Sequence, residues 1–239
     1  MPFPNPRAIA RLTRLVRHTV SSARSLERIS AETEGCPHVA TRAGHEWARR
    51  LIDALGVELH VTGKLPDGPA LWLSNHRSYV DIPVILAQRP CAFLAKEEIA
   101  SWPVFGRGAA LNHTVFVKRG DPVSGKAARQ GALHLLERGV PFAAFPEGTT
   151  SRGPGIRPFY PGLFQLAEQY GFPVVPIALE YESPDDAWVD DDAFVSHFLR
   201  RFGRKRIAVQ LRIGPELHPG EVPDLRAAAE DCVESMLAA

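Results

Sequence analysis

The 239-residue sequence has only three cysteines, Cys36, Cys91 and Cys232, far apart and without a C-x-x-C pair. That spacing argues against a zinc site or a disulfide framework and suits a reducing compartment. No run approaches the ~18 consecutive apolar residues of a spanning helix, so the chain is not expected to cross a membrane. The N-terminus carries arginines but no apolar h-region, so no secretory signal is read there. Net charge is only +1, which argues against a general nucleic-acid binder. A G-x-S-x-G elbow is absent, and so is a D-x-D-x-D-G loop; a serine hydrolase built on Ser74 or Ser151 and a calcium site in the Asp185–Asp192 stretch are both disfavoured. Nothing calls for a metal or a bound cofactor.

What is present suffices for a packed core, with 45% hydrophobic and 23% charged residues. Residues 1–30 hold Arg7, Arg11, Arg14, Arg17, Arg24 and Arg28 against Glu27 alone. On a helical wheel these arginines and His18 share one side, with Ile9, Leu12, Leu15, Val16, Val20 and Ala23 on the other. Such a helix either lies on an anionic membrane surface or packs on its own domain with a solvated basic face, and the charge pattern leaves both readings open.

Helical periodicity covers 5–30 and 41–55, separated by Gly35-Cys36-Pro37. From Val57 the alternation of Val57, Leu59 and Val61 marks a strand. Further strands are expected at 70–74, 91–95, 115–117, 140–145, 174–181 and 207–213, with helices at 79–88, 122–138, 162–170, 193–202 and 224–237 between and after them. Pro176 implies an edge position or a bulge. The organisation expected is a helical, membrane-associating segment over 1–56 and one α/β domain over 57–239, with a mixed, mostly parallel sheet flanked by helices.

In such sheets, reactive groups gather beyond strand ends. Asn75-His76-Arg77-Ser78-Tyr79-Val80-Asp81 follows one strand and sets an imidazole and a carboxylate five positions apart, a general base with an acidic partner. Arg119 follows a second strand, and Phe145-Pro146-Glu147-Gly148-Thr149-Thr150-Ser151 a third. Three strand ends converging on one site are expected. Ser74 and Ser78 are read as capping groups at the first junction.

The first segment resembles the N-H-x-S-x-x-D block of the glycerophospholipid acyltransferase family. Phe116-Val117-Lys118-Arg119 resembles its second block, Phe145 to Ser151 its F-P-E-G-T-x-S third, and Val175-Pro176-Ile177-Ala178 its fourth. Four blocks in order span roughly residues 57–182, with Lys96 and Pro103-Val104-Phe105-Gly106 also similar between the first two.

The resemblance implies transfer of a fatty acyl group from acyl-CoA or acyl carrier protein to a lysolipid hydroxyl at the cytoplasmic face of the cell membrane. His76 would be the general base and Asp81 its orienting carboxylate. Arg119 would meet the acceptor's anionic headgroup. Glu147, Gly148 and Thr149 would bind the acceptor, Glu147 through a glycerol hydroxyl or by holding Arg119. The favoured acceptor is 1-acyl-glycerol-3-phosphate. Departures point elsewhere: Thr150 stands where many members have arginine, and Pro158-Phe159-Tyr160-Pro161-Gly162 lacks the usual cation after Pro-Phe. The stretch from Ala187 to Phe198 resembles the branch that acylates lyso-aminolipids such as lyso-ornithine lipid. A non-enzymatic membrane-binding protein is the competing class.

Overall fold

The computed structural model describes residues 5–189 and 192–239. Residues 1–4 of the basic segment and Asp190 and Asp191 of the acidic loop lie outside the described residues. Helices are α1 (Pro6–Glu32), α2 (Pro37–Leu55), α3 (Asp81–Leu86), α4 (Phe105–Leu111), α5 (Pro122–Glu137), α6 (Gly162–Tyr170), α7 (Phe194–Arg201) and α8 (Leu225–Ala238). Strands are β1 (Val57–Thr62), β2 (Leu71–Ser74), β3 (Ala92–Lys96), β4 (Val115–Val117), β5 (Phe142–Ala144), β6 (Val174–Tyr181) and β7 (Ile207–Ile213).

The strands form one sheet in the order β1-β7-β6-β2-β5-β3-β4. β6, β2, β5, β3 and β4 run parallel, while β7 is antiparallel to β6 and β1 parallel to β7. β2 is buried along its whole length, as a central parallel strand covered on both faces must be. Its Trp72 packs into one core with Leu51, Leu55, Val84 and Ile85 from α2 and α3. Leu71 and Leu73 pack into the other with Leu135, Phe164 and Val233 from α5, α6 and α8. The period of two thus sends alternate residues to opposite helical layers.

Pro176 does not mark an edge, because β6 lies between β7 and β2. Its carbonyl accepts from Gly214 N, and Val174 exchanges both backbone bonds with Leu217. Three steps of chain from Gly214 to Leu217 therefore oppose two in β6, a bulge that spares the ladder the donor proline lacks.

The face of α1 turned inward differs from the expected one. Its buried stripe is Ala8, Arg11, Leu15, Thr19 and Leu26, whereas Ile9 and Val16 are 46% and 40% exposed. Arg11 leaves the basic set altogether. Its guanidinium donates to the carbonyls of Phe202 (3.0 Å), Arg204 (2.7 Å) and Lys205 (2.9 Å), where a cation satisfies the free acceptors beyond α7. It also lies against Gly56, the left-handed cap of α2 at φ 68°, where a Cβ would sit 1.8 Å from Nη2. Only glycine serves at that position.

Around α7, acidic and basic side chains neutralise each other. Buried Asp186 accepts from Arg201 Nε at 2.9 Å and Arg204 Nη1 at 2.8 Å, and Asp192 pairs with Arg200.

Candidate active site

The ends of β2 and β5 meet through their loops. Asn75 extends the β2–β6 ladder with its side chain, Nδ2 donating to Leu179 O (2.9 Å) and Oδ1 accepting from Leu179 N (2.7 Å). The chain then turns sharply, and Asp81 supplies the acceptors for that turn. Its Oδ2 takes the main-chain N–H groups of Arg77 (2.6 Å) and Ser78 (2.8 Å) and the Nδ1–H of His76 (2.7 Å). Its Oδ1 accepts from the Tyr181 hydroxyl at 2.6 Å. Asp81 thus acts where Ser74 and Ser78 were expected to cap. Ser74 Oγ instead bonds the Asn75 carbonyl, and Ser78 Oγ has no partner among the described residues.

Because a carboxylate only accepts, His76 carries its proton on Nδ1 and leaves Nε2 as an open lone pair. Its ring stacks on Phe145 at 3.9 Å and 10° and keeps 16% side-chain exposure. Both torsional freedom and tautomer are therefore fixed while one edge stays accessible.

Glu147 secures the same loop from β5. Its Oε1 accepts from His76 N at 2.8 Å, and Oε2 accepts from Ser151 Oγ (3.2 Å) and Arg157 N (3.0 Å). Burial raises its pKa, and the main-chain donors oppose that rise. Both oxygens are spent on the loops, and among the described residues none contacts Arg119. Ser151 N donates to His76 O (2.9 Å), and Arg77 bonds Ser151 Oγ and the carbonyls of Pro154 and Gly155. Gly148 has φ 71°, and a Cβ there would sit 2.7 Å from the Tyr160 ring, so this close approach admits glycine alone. Thr149 is half-buried beside it.

Arg119 stands apart. It is exposed and makes no ion pair among the described residues. Asp121 does not neutralise it; the Asp121 carboxylate caps α5 by accepting from Val123 N and Ser124 N. β4 lies three strands from β2, about 14 Å across the sheet at ~4.8 Å per strand. The structure thus joins His76, Asp81 and Glu147 in one bonded unit, with Gly148 next to Glu147 in the chain, and leaves Arg119 on the same edge at a distance.

On the α1–α3 side an apolar cavity of about 190 Å³ opens beside this unit. Leu26, Trp47, Val80, Leu86, Phe93 and Phe105 are among its walls. Phe145, which carries the His76 ring, has its ring centroid 6.1 Å from that of Phe93 in the cavity wall, so one phenyl ring stands between the imidazole and that wall.

Sequence reading missed Tyr181, Arg77 and the Tyr79–His197 pair. Tyr79 Oη donates to His197 Nδ1 at 2.9 Å, and His197 Nε2 donates to Ala187 O at 3.1 Å. Trp188 N donates to Arg77 O (2.8 Å), so the chain before α7 closes over the His76 loop. The sequence signal for these was the aromatic run Trp188, Phe194, Phe198, Phe202.

A mixed sheet delivering a carboxylate-held histidine beside an apolar cavity is an arrangement able to activate a hydroxyl next to an apolar substrate. Residues 56–180 match the model of the acyltransferase family. A lyso-ornithine lipid O-acyltransferase of Pseudomonas aeruginosa is 36% identical over 172 residues, covering 70% of this chain and 66% of that protein. A 1-acyl-sn-glycerol-3-phosphate acyltransferase of Neisseria meningitidis is 36% identical over 173 residues, covering 72% and 68%. The crystal structure of the 1-acyl-sn-glycerophosphate acyltransferase of Thermotoga maritima shares the fold, with a TM-score of 0.61 at 23% identity over 95% of this chain and 96% of that one. The chain belongs to the acyltransferase family.

Proposed function

We propose that this enzyme transfers a fatty acyl group from acyl-CoA or acyl carrier protein to the free hydroxyl of a lysolipid, 1-acyl-glycerol-3-phosphate first. The observation that carries this reading is the His76–Asp81 pair, one phenyl ring away from the wall of the apolar cavity at Phe93. The acyl chain enters the cavity and places its thioester carbonyl near His76. The acceptor hydroxyl gives its proton to Nε2 as its oxygen bonds the carbonyl carbon, and Asp81 stabilises the imidazolium. The tetrahedral intermediate expels the thiolate, which takes the proton from His76, leaving ester and free thiol. Glu147 acts as a positioning residue through the His76 amide, while Gly148 and Thr149 border the acceptor and Arg119 meets its headgroup.

The outward face of α1 supports membrane attachment. Ile9 and Val16 are exposed, and Arg14, Arg17, Arg24 and Arg28 are exposed to one side of them on the same helix. Such a face sets its apolar residues at the headgroup boundary and its cations against anionic lipid. Ser22 and Ala23 of α1 also line the cavity, which gives an acyl chain a short path from the bilayer. The enzyme thus sits peripherally on the cytoplasmic face, with 1–56 as its attaching segment. Among the described residues no helix is long and apolar enough to cross a membrane.

Lyso-ornithine lipid is the second acceptor, favoured by the Pseudomonas relative and by the likeness of the Ala187–Phe198 stretch to the lyso-aminolipid branch. Purified protein given acyl-CoA or acyl carrier protein and each lysolipid in turn decides between them. Ester product with one acceptor, lost by about 10²- to 10⁴-fold in His76→Ala, is expected. Product with neither, or an unchanged rate in His76→Ala, refutes the proposal; vesicle binding without turnover would then favour a membrane-binding protein.

A further inference from the structure

We infer that Arg129 binds the anionic group of the acceptor headgroup, supplying from α5 the cation that the sequence lacks at Thr150 and Tyr160. This rests on the acceptor reading above and assigns its specificity. Arg129 lies two turns into α5, and its side chain folds back toward the helix start: Nη1 is 3.9 Å from where a Cβ on Gly125 would stand. The same Nη1 is 3.4 Å, and Cδ 3.7 Å, from where a Cβ on Gly162 would stand. The guanidinium therefore rests between the first turn of α5 and the first residue of α6.

Both neighbours lead to the site. Ser124, beside Gly125, accepts from Lys118 N through Oγ at 2.8 Å, which places Arg129 by the loop bearing Arg119. Gly162 lies two residues beyond Tyr160, whose N–H donates to Pro146 O (2.9 Å) and whose ring covers Gly148. Arg129 is half-buried, and among the described residues no carboxylate pairs with it. Several other half-buried arginines among the described residues have carboxylate partners, as Arg201 and Arg204 have Asp186 and Arg212 has Glu180. A half-buried guanidinium left without an internal anion has its fork free for phosphate or carboxylate.

The arrangement also divides the site sensibly. The apolar cavity lies against the α1–α3 layer, and Arg129 lies on the opposite α5–α6 layer, with His76 at the strand ends between. Acyl chain and charged headgroup approach the imidazole from opposite faces of the sheet.

Two anions fit this chemistry, a phosphate monoester and the α-carboxylate of an aminolipid, and the test separates them. sn-Glycerol 3-phosphate and a short-chain N-acyl ornithine are titrated by calorimetry into wild type, Arg129→Gln and Arg129→Lys, with melting temperatures measured alongside. At least one anion binds the wild type, weakens about tenfold or more in Arg129→Gln, and partly recovers in Arg129→Lys at unchanged melting temperature. Whichever anion does so identifies the headgroup. Equal binding by wild type and Arg129→Gln, or no binding of either anion to wild type, overturns the inference.

Acyl transfer measured on the same proteins keeps the two claims apart. A loss that falls on the acceptor's KM more than on kcat supports Arg129 as a recognition residue. Transfer with an unchanged acceptor KM in Arg129→Gln removes the inference and leaves the acyltransferase reading standing. Arg129-dependent anion binding without any transfer does the reverse.

Discussion

The ends of β2 and β4 carry the two motifs that matter most, and they are built in opposite ways. At β2, His76, Asp81 and Glu147 are tied by at least seven hydrogen bonds among loops and side chains, and Asp81 and Glu147 are nearly sealed from solvent. At β4, Arg119 is exposed with no ion pair among the described residues. On the proposed function the β2 end holds the proton-transfer pair, whose donor–acceptor geometry is fixed by bonding to the protein. Arg119, proposed to bond a ligand's anion, is left unbonded by the described residues. Helix α1 repeats the contrast within one element, with Arg11 spent on three carbonyls and Arg17, Arg24 and Arg28 facing outward.

The sharpest way to break the bonded side is Asp81→Asn. One carboxylate oxygen serves three donors and the other serves Tyr181, whereas an amide offers one oxygen and two new donors. Acyl transfer falls by roughly 10³-fold or more as His76 loses its tautomer. The melting temperature falls too, because each buried donor left unmet costs about 1–3 kcal/mol. An Asp81→Asn protein with wild-type melting and transfer would show that the bonded turn is incidental.

On the open side, Arg17, Arg24 and Arg28 changed together to glutamine leave folding intact and weaken binding to anionic vesicles. At about 1 kcal/mol per cation near the surface, the partition coefficient drops on the order of a hundredfold, and added salt erodes wild-type binding in the same direction. Flotation that ignores both salt and the substitutions would place α1 away from lipid. Arg11→Gln does the opposite, lowering stability while leaving lipid binding nearly unchanged.

Tyr181→Phe sharpens the bonded side further. Removing the hydroxyl strips one of four donors from the buried Asp81 carboxylate and loosens the turn that orients His76. Acyl transfer drops about tenfold, on the order of one hydrogen bond to a charged group. An unchanged rate in Tyr181→Phe would reduce Tyr181 to a packing residue.

This contrast also explains what the sequence disclosed. Strand and helix positions were legible because they follow local periods, as in Val57, Leu59 and Val61 or the α5 stripe of Ala128, Ala132, Leu135 and Leu136. His76, Asp81 and Glu147 were legible because each sits in a short block with fixed spacing. Tyr181, 100 residues from Asp81, and Arg129, far in sequence from Gly162, belong to no period and no block. Their meetings depend on strand order. Arg11 was misread for a related reason: a helical wheel separates faces but does not say which face the rest of the chain covers.

The smallest expected effect tests the tie that holds the α7 segment over the bonded site. His197 is buried, with Nε2–H on Ala187 O and Nδ1 accepting from Tyr79, and burial holds its pKa below the ordinary 6.5. As pH falls below 6.5 the unfolded chain takes up a proton on this imidazole while the folded protein still excludes it. The unfolded state then binds more protons, so stability present above 6.5 is lost as pH falls toward the lowered folded value. Urea midpoints measured between about pH 7.5 and 5.5 should therefore decline on acidification. His197→Gln, unable to titrate, flattens part of that decline. An unchanged slope in the variant would assign the acid sensitivity to other groups and leave Tyr79 and His197 as a fixed strut, indifferent to pH, beside His76.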